Sequence, residues 1–87
     1  DVLRHEIDKY DTEIINLLSS RSEIVKEIAN FKREQKLTVF QIERWFEILK
    51  TRTELGRELE LDDQMIAQIF ELIHKYSILI QTKIIRQ

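Results

Sequence analysis

The feature that most constrains the fold of this chain is one uninterrupted amphipathic stretch from Leu3 to about Lys32. No Gly or Pro breaks it, because the whole chain has a single Gly and no Pro. Apolar residues recur along it at helical spacing: Ile7, Ile14, Leu17, Leu18, Ile24, Val25, Ile28 and Phe31. A helix of this length measures about 44 Å, whereas a compact domain of 87 residues has a radius of gyration of about 12 Å. We therefore expect the helix to project from any monomeric fold and to be covered by a second copy in an intertwined homodimer.

A second, shorter helix is predicted from Val39 to about Leu55. Thr38 and Gln41 match a capping box, T-x-x-Q, with a hydrophobic residue on either side of it. Gly56 suits a left-handed position just past the helix end. The expected apolar face of this helix consists of Ile42, Trp45, Phe46 and Leu49.

A third helix is predicted from Asp63 to near Arg86, with Asp62 as its N-cap. Its apolar stripe contains Ile66, Ile69, Phe70, Ile73, Ile80 and Ile84. Ser77 and Gln81 lie on the same face, where apolar residues are otherwise expected. The chain is thus predicted to be all-α, with three helices in the order long, short, long, in a single domain over residues 1–87.

Composition excludes several classes of function. A formal net charge of −2 and a pI near 5.7 argue against nucleic-acid binding, which needs a basic excess. Without cysteine there is no disulfide framework or thiolate site. No apolar run approaches the ~20 residues of a membrane span, and no signal-peptide pattern is present, so a cytoplasmic protein is expected. The first residue is Asp1, and we expect a domain cut from a larger chain.

Three cations interrupt the apolar lines of the first helix: Arg4, Arg21 and Lys32. A cation on such a line is costly unless an anion meets it. Arg21 and Lys32 are about 16 Å apart along the helix and point the same way, so together they can clamp one small dianion. Arg4 lies about 25 Å from Arg21 and is rotated by about 100°. It serves either a structural partner or a site built by another copy of the chain.

Each cation also has an ordinary structural explanation. Arg21 can form a buried ion pair with a carboxylate of another helix, or grip a substrate carboxylate with its guanidinium fork. Lys32 can complement the dipole at the helix end. Arg4 can pair with Asp8 at i+4.

Among the neutral polar residues, Ser77 can bond back to a carbonyl of its own helix. An amide on a core-facing stripe, such as that of Gln81, needs an outside partner. Gln41 is accounted for by the capping box. His5 and His74 show no spacing typical of a metal site or a nucleophile–base pair.

The residues that carry chemistry match a known family. The matching positions are Leu3-Arg4-x-Glu6-Ile7-Asp8-x-x-Asp11, Ile14, Leu17-Leu18, Arg21, Ile28, Lys32, Arg44 and Ser77-x-x-x-Gln81. Along essentially its whole length, the chain resembles the all-helical class of chorismate mutases. This resemblance implies a unimolecular Claisen rearrangement of chorismate to prephenate in a homodimer, with no cofactor and no metal.

The resemblance also implies roles for individual residues. Arg21 would bind the carboxylate of the enolpyruvyl side chain, and Arg4 would reach across the dimer to the ring carboxylate in the partner's site. Lys32 and Gln81 would hydrogen-bond the ether oxygen as the C–O bond breaks. Ser77 would assist at the ring carboxylate.

Two further positions lie on the second helix. Arg44 would help to position the substrate, with Gln41 as a neighbouring binding residue. In the family, the residue after this arginine is usually an acid, which binds the ring hydroxyl of the substrate. In this chain that residue is Trp45. An Asp is often found at the position of Gln41.

Other features resemble a subgroup in which the mutase is fused behind a DAHP synthase. They are the run Gln41–Trp45 and Ile73-His74 ahead of Ser77-Ile78. The resemblance therefore implies a fused DAHP synthase domain as a partner. Two alternative functions remain: isochorismate pyruvate-lyase, which shares the scaffold and much of the cation set, and a non-catalytic helical dimerisation or regulatory module.

Overall fold

The computed structural model describes all 87 residues and contains three α-helices and no strand. Helix α1 spans Val2–Gln35, α2 spans Ile42–Glu58 and α3 spans Asp63–Ile85. α3 packs against both α1 and α2, which do not pack directly against each other. The predicted all-α architecture is confirmed. None of the three helices combines the length and the hydrophobicity that a bilayer crossing requires.

Local signals set both ends of α1 and the start of α3. The Asp1 carboxylate accepts a hydrogen bond from the Leu3 N–H, and the Asp62 carboxylate accepts one from the Met65 N–H, both at 2.9 Å. α1 ends at a left-handed residue, Lys36, with φ of 57°. These are the local capping geometries that satisfy unpaired backbone groups at helix ends.

The predicted capping box at the start of α2 is wrong. The helix begins at Ile42, and Gln41 is itself the N-cap residue, with no side-chain hydrogen bond to the helix. The reason is a tertiary contact, because the carbonyl of Val39 accepts a hydrogen bond from the Lys32 ammonium at 2.9 Å. The connector between α1 and α2 is therefore held against the end of α1, and the Gln41 side chain is not used in capping.

The prediction for Gly56 is also wrong. Gly56 lies inside α2, and the left-handed residue after the helix is Glu60, with φ of 61°. A Cβ atom at position 56 would lie 2.7 Å from Cγ1 of Ile66, which is buried in α3. The glycine is thus required because α2 and α3 approach each other closely at this point.

We expect Gly56→Ala to lower the free energy of unfolding by up to about 2 kcal/mol. Overpacking a core typically costs about 1–3 kcal/mol, and the gain in helix propensity of about 1 kcal/mol offsets only part of it. Urea unfolding at fixed protein concentration measures the change. In an Ile66→Ala background the same substitution should be neutral or stabilising. An equal loss in both backgrounds would contradict the close-approach explanation.

Few side chains are buried. The first half of α1 has no buried residue, and Ile7 and Ile14 are 60% and 55% exposed. On α2 the buried apolar residue is Ile48, which the predicted face omitted, whereas Ile42 and Phe46 are exposed. The Cα radius of gyration, 15.5 Å, exceeds the value of about 12 Å typical of a compact chain of this length. The elongated shape predicted from the length of α1 is confirmed.

Candidate active site

One cavity of about 270 Å³ lies among the three helices and the connector before α2. Its walls contain six of the seven residues that the sequence nominated for substrate binding or catalysis: Arg21, Lys32, Gln41, Arg44, Ser77 and Gln81. Val25, Ile28, Val39, Ile48, His74 and Ile78 complete the lining. The cavity is therefore cationic and polar on one part of its wall and aliphatic on another, with no Asp or Glu in the lining.

Arg21 is held by α3. Its guanidinium Nη1 donates to the Ser77 hydroxyl at 2.6 Å, and that hydroxyl donates to the carbonyl of Ile73 at 2.9 Å. Ser77 is buried, at 6% exposure. The ion pair considered for Arg21 is wrong, because its partner is a neutral hydroxyl and its positive charge is not neutralised by the chain.

Lys32 and Gln81 form a second connected pair at the wall. The ammonium of Lys32 donates at 2.9 Å to the Gln81 side-chain oxygen and at 2.9 Å to the Val39 carbonyl. An ammonium has three N–H donors and a primary amide has two. One donor of Lys32 and both donors of the Gln81 amide thus remain unused. Although Lys32 lies in the last turn of α1, its ammonium makes tertiary contacts with the connector and with α3.

Arg44 and Gln41 lie on the α2 side of the cavity. Arg44 forms a salt bridge with the Glu47 carboxylate one turn further along α2, and both side chains are largely exposed. Such exposed pairs contribute little to stability. The Gln41 amide makes no hydrogen bond to the helix it precedes. Both side chains are therefore able to reorient towards a bound molecule.

The electrostatics of the wall favour an anion. Burial lowers the pKa of Arg21, and the neighbouring charges of Arg52 and Arg44 lower it further. Burial also lowers the pKa of Lys32. These are the shifts expected of cations that lack a carboxylate partner. The negative charge of a small dianion in the cavity would offset both the cost of burying these cations and their mutual repulsion.

Arg4 does not belong to this cavity. Its side chain is 88% exposed and lies 3.8 Å from the carboxylate of Asp1, not of Asp8 as considered from the sequence. Arg4 pairs with Asp1 because Asp1 caps α1 and therefore lies beside the first turn of the helix. Within one chain, Arg4 is thus separate from the other six nominated residues.

His74 is the lining residue that the sequence analysis set aside. His74 lies on α3 one turn before Ser77. The i, i+3 spacing places both residues on the same face of the helix, and this was the signal in the sequence that could have identified His74. Its ring stacks on Trp45, with centroids 5.1 Å apart and an interplanar angle of 22°. Trp45 itself is not part of the cavity lining.

Comparison with known proteins identifies the family of the chain. The family model for chorismate mutase type II matches residues 3–82. A bifunctional chorismate mutase/prephenate dehydratase of Buchnera aphidicola subsp. Acyrthosiphon pisum (strain APS) is 33% identical over 86 residues, which cover 99% of this chain and 22% of that protein. The bifunctional chorismate mutase/prephenate dehydratase of Escherichia coli (strain K12) is 31% identical over 85 residues, which cover 98% of this chain and 22% of that protein.

The chain thus spans about a fifth of the length of these curated relatives. The second activity in the names of these relatives is prephenate dehydratase, so the predicted likeness to mutases fused to a DAHP synthase is not supported. The family match covers nearly the whole chain and includes all seven nominated residues. The chain therefore belongs to the type II chorismate mutases.

Proposed function

We propose that the cavity binds chorismate and converts it to prephenate by a Claisen rearrangement. The observation that carries the proposal is the set of unused donors on Lys32 and Gln81, in the same cavity as the unneutralised charge of Arg21. Chorismate presents two carboxylates and one ether oxygen. The cavity is close to the lower end of the size range of small-molecule sites, as a small substrate requires.

In this proposal the cations bind the carboxylates of chorismate. Arg21 holds the carboxylate of the enolpyruvyl side chain, because a guanidinium presents paired donors to a carboxylate. Ser77 fixes the orientation of Arg21 in the absence of substrate and assists at the ring carboxylate when substrate is bound. Arg44 and Gln41 reorient from the α2 side to complete the contacts. Together they select the compact conformer in which the two reacting carbons are adjacent.

Lys32 and Gln81 act on the breaking bond. As the C–O bond lengthens and the new C–C bond forms, negative charge accumulates on the ether oxygen. The remaining N–H of Lys32 and the amide NH₂ of Gln81 donate to that oxygen, and the interaction strengthens towards the transition state. The rearrangement is unimolecular and transfers no proton to or from the protein. The roles of these residues are electrostatic and positional.

We further propose that the working unit is a homodimer in which Arg4 completes the partner's site. The first half of α1 presents uncovered apolar side chains, including Ile7, Ile14 and Leu17. Large apolar areas of this kind usually mark an interface. Arg4 lies at this exposed end of α1. In the dimer it reaches the ring carboxylate of a substrate bound in the other subunit.

The test of the function is direct assay of the protein with chorismate, monitoring both chorismate loss and prephenate formation. We expect first-order conversion with saturation kinetics. Isochorismate serves as the comparison substrate, and we expect no salicylate or pyruvate from it. Salicylate formation as the main activity would instead identify a pyruvate-lyase, and no reaction with either compound would leave the dimerisation module as the better description.

A further inference from the structure

The side chain of His74 occupies an unusual position beside the cavity. His74 lines the cavity and also an adjoining groove that is bordered by Phe40 and Trp45. Trp45 stacks on the ring, and Phe40 approaches it at a centroid distance of 6.0 Å with an interplanar angle of 55°. These two aromatic contacts hold the plane of the imidazole.

The imidazole has an unsatisfied polar atom. Nε2 of His74 is shielded from solvent and has no hydrogen-bond partner, and it is the one buried side-chain nitrogen or oxygen in the chain with this property. Native proteins pair nearly all such atoms, and an exception calls for an explanation. A turn of the ring that exposes this nitrogen to the adjoining cavity would let a bound molecule supply the partner that the chain itself does not.

The surroundings of His74 keep it neutral. Burial lowers its pKa, and the positive charges of Arg21 and Arg44 and of Lys32 lower it further. On the groove side, its own helix contributes one acid and one base, Glu71 and Lys75. With its pKa below the usual 6.5, the ring is uncharged at pH 7 and has one nitrogen lone pair able to accept a hydrogen bond.

Chorismate carries one group for which the cavity otherwise lacks a clear partner, its ring hydroxyl. A hydroxyl donates best to an acceptor that is not already engaged. The oxygen of Gln81 and the carbonyl of Val39 both accept from Lys32, and the Ser77 hydroxyl accepts from Arg21. No carboxylate lines the cavity. Apart from the Gln41 amide, the imidazole is the remaining side-chain acceptor.

We propose that His74 is a specificity-determining residue whose imidazole accepts a hydrogen bond from the ring hydroxyl of the substrate. The proposal rests on the proposed mutase function and adds to it a residue for the part of the substrate that the cations do not recognise. Trp45 then acts as a positioning residue, because its stacked indole fixes the imidazole plane. A half-turn of the ring about its Cβ–Cγ bond, a torsion that is roughly two-fold, keeps this plane and moves each ring nitrogen to the opposite edge, which brings a nitrogen lone pair to the substrate.

The test compares chorismate with its analogue lacking the ring hydroxyl, each rate being divided by the uncatalysed rate of the same compound. For the unsubstituted protein we expect kcat/KM to be about tenfold higher for chorismate, the size of one hydrogen bond to an otherwise unpaired group. In His74→Leu this preference should fall to about one, because chorismate loses the contact and the analogue never had it. His74→Gln, which keeps a polar acceptor, should restore part of the preference.

The control is His5→Gln, at an exposed histidine of α1, which should leave the preference unchanged. A general structural defect in His74→Leu lowers kcat/KM for both compounds equally and retains the preference. That outcome would overturn the proposal and assign the hydroxyl to another residue. Absence of mutase activity in the unsubstituted protein would instead refute the proposed function, so the two failures are distinguishable.

Discussion

Lys32→Ala is expected to lower kcat for prephenate formation by about 10²–10³, the usual effect of removing one preorganised donor from a developing oxyanion. In the structure the ammonium is held by the Gln81 side chain and the Val39 carbonyl. Its third N–H is therefore oriented before substrate binds, and no reorganisation is needed during the reaction. The substitution removes this donor and also releases the Gln81 amide from its partner.

The effect should fall mainly on kcat, because charge on the ether oxygen is larger in the transition state than in bound chorismate. Lys26→Ala is the matched control. Lys26 lies on the same helix and pairs with Glu23 on the exposed surface, so its loss should leave kcat unchanged within about twofold. A Lys32→Ala variant that retains kcat within a few-fold of the unsubstituted protein would remove Lys32 from the mechanism.

The second large effect is expected from heterodimers of Arg4→Ala with Arg21→Ala. Each substitution alone should remove most activity, because each deprives the dianion of one cationic contact. If Arg4 acts in the partner's site, a heterodimer of the two single variants has one site with both arginines and one site with neither. Heterodimers isolated with two different affinity tags should therefore recover about half of the unsubstituted activity per dimer.

The matched comparison places both substitutions on one chain and pairs it with an unsubstituted chain. When Arg4 acts in trans, both sites of this heterodimer lack one arginine, and activity should remain low. When Arg4 acts within its own chain, the two heterodimers exchange their behaviour. Sedimentation of the unsubstituted protein at micromolar concentration should show a dimer, and a stable monomer would refute the intertwined arrangement.

Local sequence signals determine the helices themselves. The 3.6-residue periodicity of α1 and α3 and the Asp62 cap are interactions between residues three or four apart, so they can be read without knowing the fold. α1 was predicted to end at about Lys32 and ends at Gln35. The third helix begins at Asp63 as predicted. Local signals alone did not predict that six of the nominated residues share one cavity, since Arg44 and Gln81 are far apart in the chain. That prediction also needed the family resemblance.

Other features depend on residues distant in sequence and were missed for that reason. The start of α2 is displaced by the contact between Lys32 and the Val39 carbonyl. Gly56 serves the close approach of α3 and not a helix end. A side-chain pattern within one helix contains no information about the distance to another helix, so neither result was accessible from local rules.

The sequence by itself determined that this chain forms three helices, that the first is too long for a compact monomer, and that it carries cations on apolar lines. Periodicity, capping and charge placement are properties of neighbouring residues, which is why these conclusions held. Only the tertiary structure decided which partners those cations have. It shows Arg21 bound to a neutral hydroxyl, Lys32 with one unused N–H donor and an imidazole nitrogen without a hydrogen-bond partner. These partners depend on distances between helices, which patterns of neighbouring residues do not contain.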